Sequence, residues 1–480
     1  MNSPFLELLA RSRSSIDLDD GGITGPELVD VGSRLAVEWA AAGLRPGDRV
    51  GLWLPNSRGY LVGLAACAAG GFAAVSVNTR WSRDEADTLL GRSGARLLRT
   101  ADEDRILDLD GGPAGDSLAL EGDQPFVIFT TSGTTSRPKM VLHGQRSIVD
   151  HANDAGRAFG YGADTPVLVA MPLCGVFGLA SLTAAMAADA PIIMPSAIVP
   201  AVIAATVEQR KVAAINGSDD LFHRMLATEA DLSSIRVGGY ARFNTSLDGI
   251  VARAEQRGMT LTGLYGMSEV QALYSLRDPS APADVRERAG GTVVSPRAEV
   301  RVVDDELQLK GPSLFAGYLA EGGWRVDADL TNAHFADGWF RTGDAAVLDE
   351  PAGGGRPTFT YRTRMGDVLR LGGFLVAPSE IEAALIGFDG IDAAQVVSVD
   401  RPSGARPVAF VTGPFGVDGR PRELDEAAVI DHCAACLARY KVPIRVLVVD
   451  EFPTTPSANG TKIQKVKLRE MAAAAVADDP

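Results

Sequence analysis

Two stretches without a charged residue, one between Arg58 and Arg80 and one between Asp164 and Asp189, most constrain what this chain can fold into. A transmembrane helix needs about 20 apolar residues in one piece. The first stretch is cut by Gly70-Gly71 into a helix-like part and a strand-like part, residues 72–77. The second carries Pro166, Pro172, Gly175 and Gly178. Both therefore predict a helix plus a strand buried inside an α/β protein rather than a membrane span. Residues 1–13 have no long apolar core, so no signal peptide is expected and the expected compartment is the cytoplasm.

The rest of the 480 residues repeats the pattern. Short apolar runs at 126–129, 167–170, 212–215, 235–237 and 261–264 read as buried strands, and helix-like stretches lie between them. Residues 247–257 place Leu247, Ile250, Val251 and Ala254 on one helical face, with Gly258 set to end the helix. Small, hydroxylated or glycine residues follow the runs: Thr130-Thr131-Ser132-Gly133, Met171-Pro172, Asn216-Gly217, Gly238-Gly239 and Tyr265-Gly266. In open α/β sheets, ligands bind beyond the carboxyl ends of the strands, so these segments predict one shared crevice. Near residue 365 the character changes, and strand-like runs at 395–399, 408–411 and 444–449 with a helix over 424–437 predict a separate α+β unit. The expected domains are 1–365 and 366–480.

Charge narrows the partners. Forty-six basic against 61 acidic residues give a net charge of −15. A chain so acidic has no global positive field for nucleic acid or an anionic membrane, and neither partner is expected. Four cysteines do not make a disulfide framework at this length. Cys433 and Cys436 beside His432 resemble half a zinc site. A second pair is missing, and Val429, Cys433, Cys436 and Leu437 share helical spacing, so both thiols are expected in a core. His143, His151, His223 and His334 form no ligand motif, and none is assigned a catalytic role.

The chemistry-bearing segments are ordered along the chain. Thr130-Thr131-Ser132-Gly133-Thr134-Thr135-Ser136-Arg137-Pro138-Lys139 offers hydroxyls, backbone N–H groups and a cation, as a polyphosphate requires, but lacks Walker A spacing. Tyr265-Gly266-Met267-Ser268-Glu269, Arg341-Thr342-Gly343-Asp344, Arg364-Met365-Gly366-Asp367, Gly372-Gly373-Phe374 and Asn459-Gly460-Thr461-Lys462 follow in turn. In this order, from about residue 126 to 469, they resemble the adenylate-forming superfamily, and within it the AMP-dependent acyl-CoA synthetases.

The resemblance implies a large N-terminal domain with doubly wound sheets and a small mobile α+β domain. It implies ATP, Mg²⁺ and CoA as the small molecules handled, together with a carboxylic acid of aryl or short- to medium-chain acyl type. Thr131, Ser132, Gly133, Thr134, Thr135 and Lys139 would hold the outer phosphates. Tyr265 would pack on the adenine, with Gly239 and Tyr240 on its other side, and Gly266 and Ser268 would also belong to the cofactor-binding set. Glu269 would bind Mg²⁺, a hard cation that prefers oxygen. Asp344 would take the ribose hydroxyls, Arg364 the nucleotide, and Lys462 would reach in during adenylation. Gly366 would be the hinge, and Gly372 and Gly373 would line the pantetheine tunnel. Gly175, Asn216, Gly263, Leu264 and Met267 would shape the acid pocket.

Several positions depart from the pattern. Ser136 and Met140 replace glycines, and Gly366 replaces a charged hinge residue. Gly175 stands where acyl-CoA synthetases commonly have histidine, and its segment lacks the aspartate with which amino-acid-activating relatives hold an ammonium. A separate carrier protein as thiol acceptor, nitrite activation by a diazotase-like enzyme, and a non-catalytic nucleotide-binding protein are the alternatives. Retention of Lys462, Glu269, Asp344 and Arg364 weighs against the last.

Overall fold

The computed structural model describes residues 3–107, 118–131, 138–242, 249–323, 325–350, 355–371, 374–401, 404–413, 424–457 and 460–476. The first charge-free stretch becomes the helix Arg58–Gly70 and the strand Ala73–Ser76. The Ser57 hydroxyl caps the helix by accepting from the Tyr60 N–H, and Gly71 ends it at φ 68°, a conformation that favours glycine. The second becomes the strand Val167–Leu168 and the nearly fully buried helix Val176–Ala187. Among the described residues no helix is long and apolar enough to cross a membrane.

Two sheets build the large unit. The smaller runs in the order Gly317–Tyr318, Met140–Gly144, Pro125–Thr130, Ala73–Ser76, Arg49–Leu52, Ala95–Arg99, Asp104–Ile106, and its four middle-to-edge strands from Pro125–Thr130 to Ala95–Arg99 are parallel. The larger, of 14 strands, has a parallel half containing Ile192–Met194, Val167–Leu168, Ala214–Ser218, Val237–Ala241 and Leu261–Tyr265. At Leu261–Tyr265 the direction changes. Ser275–Leu276, Gly290–Val293, Thr358–Arg364, Trp339–Asp349, Glu306–Lys310 and Glu299–Val303 continue the sheet antiparallel. The doubly wound pattern expected for the large unit is carried by this parallel half and by the four parallel strands of the smaller sheet, and the other half of the larger sheet adds an antiparallel extension. Short connections such as residues 266–274 are too brief for a parallel crossover and return the chain antiparallel.

The remaining residues form a small α+β unit. Ala393–Val399, Arg406–Thr412 and Arg445–Val448 make a three-stranded sheet, covered by the helices Pro378–Ile386, Glu426–Cys436 and Lys465–Ala475. Its two apolar clusters draw only on residues between Leu369 and Val476.

Three local expectations need correction. Asn216-Gly217 and Gly238-Gly239 do not follow their strands but lie within them, paired as Asn216↔Gly239 and Gly217↔Tyr240. A Cβ on Gly239 would sit 2.4 Å from Asn216 Oδ1, so close strand packing, not a loop, accounts for that glycine. The helix expected over 247–257 spans Ile250–Gln256, and Leu247 lies outside the described residues. Cys433 is buried, but Cys436 is exposed, because the helix ends there and Leu437 is already extended.

Two buried histidines make internal bonds, and one of them links the two sheets. His143, on the strand Met140–Gly144, donates through Nε2 to the Ser268 carbonyl at 2.7 Å, just beyond the end of Leu261–Tyr265. His151 meets the Ser313 hydroxyl through Nδ1 at 2.9 Å. Burial pushes His143 down to about 4 and His151 down to about 3, so both fold neutral. Unfolded histidines take up protons near pH 6.5, which these two refuse while folded. Their contribution is complete above that pH and is lost as pH falls toward 4. Urea unfolding at pH 7 and pH 5 should show a fall of about 2 kcal/mol per histidine. Equal stability at the two values would contradict buried neutral rings.

Candidate active site

The carboxyl ends of both sets of parallel strands open on one cleft of about 1970 Å³. Its floor includes Ser76, Asn78, Thr130 and Thr131 from the smaller sheet, and Leu264, Tyr265, Gly266, Met267, Ser268 and Glu269 from the larger. Gly266 is required at that turn, since a Cβ there would fall 1.5 Å from the Ala272 carbonyl oxygen.

Thr131 and Lys139 close the hairpin of Pro125–Thr130 and Met140–Gly144. The Thr131 N–H donates to the Lys139 carbonyl at 3.0 Å, and the Lys139 N–H to Thr131 Oγ at 3.3 Å. Ser132, Gly133, Thr134 and Thr135 lie outside the described residues. The Lys139 ammonium faces the cleft, 2.7 Å from His334 Nε2 and 4.7 Å from the centre of the Tyr318 ring. Desolvation lowers its pKa, opposed by the nearby Glu269. Tyr318 reaches this place because Gly317–Tyr318 pairs with Leu142 and Val141 directly after Lys139.

Asp344 is the most constrained acid of the cleft. The strands Trp339–Asp349 and Thr358–Arg364 pair it directly with Arg364. Arg364 Nη1 donates to Asp344 Oδ1 at 2.6 Å, and the Tyr265 hydroxyl to Oδ2 at 2.6 Å. The Thr342 hydroxyl, itself held by the Leu307 carbonyl at 2.7 Å, accepts from the Asp344 N–H at 3.0 Å. Burial raises the Asp344 pKa, opposed by Arg364 and Tyr265. Each carboxylate oxygen keeps a further lone pair for a ligand hydroxyl. Tyr265 is fixed from behind by Phe359 and Tyr361, with ring centres 5.2 and 5.9 Å away.

Glu269 is buried, with its Oε1 accepting from the Tyr318 hydroxyl at 2.8 Å and its carbonyl accepting from the Phe315 N–H at 2.8 Å. Among the described residues no group of three or more His, Cys, Asp or Glu gathers to cage a metal. A single carboxylate of this kind suits Mg²⁺ that takes its other ligands from substrate phosphates and water.

Of the expected acid-pocket residues, Gly175, Leu264 and Met267 line the cleft, beside Cys174, Val176, Phe177 and Ala272. Asn216 does not; it is buried and donates to the Tyr161 and Ser181 hydroxyls at 2.9 and 3.1 Å. Gly263 is packed against the carbonyls of Arg286 and Arg288. Tyr240, expected beside adenine, is corrected as well. Strand alternation sends Gly239 toward Leu264 and Tyr240 to the opposite face, into a cluster with Leu168, Phe222 and Ile250, where its hydroxyl bonds the Glu287 carbonyl.

The small unit supplies the facing wall with Ser379, Glu380, Ile463, Gln464, Lys465, Lys467 and Arg469. Lys462 falls on the strand Gly460–Ile463, paired with Thr455, and its side chain lies outside the described part. Gly372 and Gly373 also lie outside it. Gly366 sits in a single turn, Met365–Asp367, with open space around it. Arg469 donates to the Gly366 carbonyl at 3.0 Å and to Asp367 Oδ1 at 2.9 Å. Sequence reasoning missed Tyr318, Thr342 as an anchor, and His334. Tyr318 and His334 stand in no motif, and only strand pairing brings them to Lys139.

Comparison with known proteins agrees with this geometry. The AMP-binding enzyme model matches residues 16–319, and the AMP-binding enzyme C-terminal domain model matches residues 380–459. The chain is 30% identical to a 3-[(3aS,4S,7aS)-7a-methyl-1,5-dioxo-octahydro-1H-inden-4-yl]propanoyl:CoA ligase of Mycobacterium tuberculosis, over 94% of each chain. It is 30% identical to a feruloyl-CoA synthase of an Amycolatopsis species, over 93% of each. In fold it is similar to the O-succinylbenzoate coenzyme A synthetase of Bacillus subtilis in complex with AMP, with a TM-score of 0.80 at 22% identity over 98% of each chain. On two matched domain models and a relative aligned over nearly its whole length, the chain belongs to the AMP-binding enzyme family of adenylate-forming ligases.

Proposed function

We propose that the protein is an ATP-dependent ligase that adenylates a carboxylic acid and passes the acyl group to CoA. The carrying observation is that one cleft gathers Lys139, Tyr265, Glu269, Asp344 and Arg364 from the large unit against Gln464, Lys465 and Arg469 of the small one. Asp344, oriented by Tyr265 and Arg364, receives the ribose hydroxyls, and the ring of Tyr265 bounds the adenine. Lys139 and the hydroxyl-rich loop, Thr131 to Thr135, receive the outer phosphates. Mg²⁺, when bound at Glu269, supplies positive charge against the phosphate oxygens.

The acid's carboxylate attacks the α-phosphorus in line, forming an O–P bond as the bond to pyrophosphate breaks. A thiolate then attacks the acyl carbonyl, and the C–O bond to AMP breaks. The protein positions the groups and offsets charge in both steps. The proposed domains are 1–365 and 366–480, with Gly366 as the hinge, Lys462 serving the first step, and Gly372-Gly373 beside the thiol in the second. At the turn Met365–Asp367 a Cβ on Gly366 would meet nothing within 4 Å, and Arg469 of the small unit bonds the Gly366 carbonyl, which supports a hinge there. Four free thiols support a reducing, cytoplasmic setting.

The acid wall is uncharged over Cys174 to Phe177 and at Leu264, Met267 and Ala272, which supports an aryl or short- to medium-chain acid without an α-ammonium. The ferulate and indenyl-propanoate named in the relatives' activities are acids of bulky apolar body and belong in the first panel tested. Incubation with ATP, Mg²⁺, CoA and such a panel should give a CoA thioester, AMP and pyrophosphate, read by mass. A thioester formed only on a separate phosphopantetheine carrier would replace CoA as acceptor. AMP formed only with nitrite and an aromatic amine would overturn the acid reading.

Replacing Glu269 by glutamine keeps size but removes the charge that favours Mg²⁺, so the Mg²⁺ concentration for half-maximal turnover should rise by about tenfold or more. Unchanged metal dependence would remove Glu269 from the metal. Replacing Lys462 by alanine should cut acid-dependent pyrophosphate release by about 10²- to 10³-fold, the usual effect of losing one aimed charge. Thioester formation from a supplied acyl adenylate should be nearly intact, and equal loss in both steps would contradict the two-position scheme.

A further inference from the structure

We propose that His334 is a positioning residue for Lys139, fixing its ammonium where the outer phosphates of ATP bind; this rests on the nucleotide reading of the cleft. The proton placement follows from the neighbours. His334 Nδ1 lies 2.9 Å from the Leu330 carbonyl oxygen. A carbonyl only accepts, so Nδ1 carries the hydrogen. In the neutral ring Nε2 then presents a bare lone pair, and Lys139 Nζ stands 2.7 Å from it as the donor.

The ring is fixed before any ligand arrives. Its backbone N–H donates to the Thr331 carbonyl at 3.0 Å, and its carbonyl accepts from the Arg341 N–H at 2.7 Å. The Tyr318 ring packs against it edge to face, with ring centres 5.0 Å apart at 66°. Lys139 is therefore held by two uncharged groups, the imidazole nitrogen and the Tyr318 ring 4.7 Å away. A carboxylate could hold the same ammonium, but it would neutralise the charge that a phosphate needs. The nearby carboxylate, Glu269, is engaged at Oε1 by the Tyr318 hydroxyl. The imidazole thus removes the wandering of a long lysine stem while leaving its charge available, and ordering before binding lowers the cost of binding.

His334 also sits one residue before Phe335–Ala336, the short strand that pairs with the strand bearing Asp344. The hairpin that presents the ribose acceptor accordingly also presents the group that aims the phosphate lysine.

The test is calorimetric titration of the full chain with Mg·ATP and, separately, with AMP, which lacks the outer phosphates. His334→Asn keeps a donor for the Leu330 carbonyl but removes the acceptor at the Nε2 position, whereas His334→Gln places an amide oxygen near it. The Asn variant should bind Mg·ATP about 3- to 10-fold more weakly, a charged hydrogen bond reduced by partial exposure. Its AMP affinity should stay within about 2-fold, and the Gln variant should recover most of the loss. Lys139→Met should weaken Mg·ATP at least as much, and adding His334→Asn to it should cost nothing more. Equal loss for ATP and AMP, equal loss in Asn and Gln, or additive loss with Lys139→Met overturns the proposal. An effect of Lys139→Met without one of His334→Asn overturns the role of His334 alone. Unchanged ATP affinity in Lys139→Met overturns the placement of Lys139 at the phosphates, and this proposal with it.

Discussion

The Tyr265 hydroxyl reaches Asp344 across the seam where the larger sheet turns from parallel to antiparallel, and the geometry of the cleft depends on that bond. Tyr265 ends the last parallel strand, and Asp344 lies on a strand of the antiparallel half. The bond links the two halves directly, in addition to the strand pairing that joins them. Asp344 is buried, and an unaccompanied carboxylate there would be costly. Tyr265 and Arg364 offset that cost, and in doing so they aim the carboxylate into the cleft instead of leaving it free to rotate.

The same economy of partners recurs around Glu269. The Phe315 N–H, the Tyr318 hydroxyl and, one residue earlier, His143 hold the turn that follows Tyr265. All three contacts come from the hairpin of Pro125–Thr130 and Met140–Gly144 or from the segment that pairs with it at Gly317–Tyr318. The two sheets are thereby registered to each other along the cleft. This is why residues far apart in sequence, such as Lys139, Tyr318 and His334, meet within hydrogen-bond or ring-contact distance.

Much of this was legible in the residues. The glycine break at 70–71 and the prolines at 166 and 172 point to helix-plus-strand units, and the structure has the helix Arg58–Gly70 with the strand Ala73–Ser76 and the strand Val167–Leu168 with the helix Val176–Ala187 in those places. Tyr265, Glu269, Asp344 and Arg364 could be named because ordered motifs mark them, and the fold brings them to one cleft. Other features were not legible for physical reasons. Glycine in a strand reads like glycine after one, and only the packing of Gly239 on Asn216 distinguishes the two. Tyr240 follows Gly239 by one residue, and the strand pleat alone decides that it faces away. Cys436 shares helical spacing with Cys433, yet spacing does not reveal that the helix stops there. His334 depends wholly on pairing between strands remote in sequence.

In the two-step reaction a carboxylate oxygen becomes bonded to the α-phosphorus before the thiol acts. Once a turned-over acid is in hand, it can be labelled with ¹⁸O in both carboxylate positions and converted with unlabelled ATP and CoA. The account predicts one ¹⁸O in each AMP formed and none in pyrophosphate, because the C–O bond breaks when the thiolate attacks. AMP free of label, or ADP and phosphate in place of AMP and pyrophosphate, would contradict it.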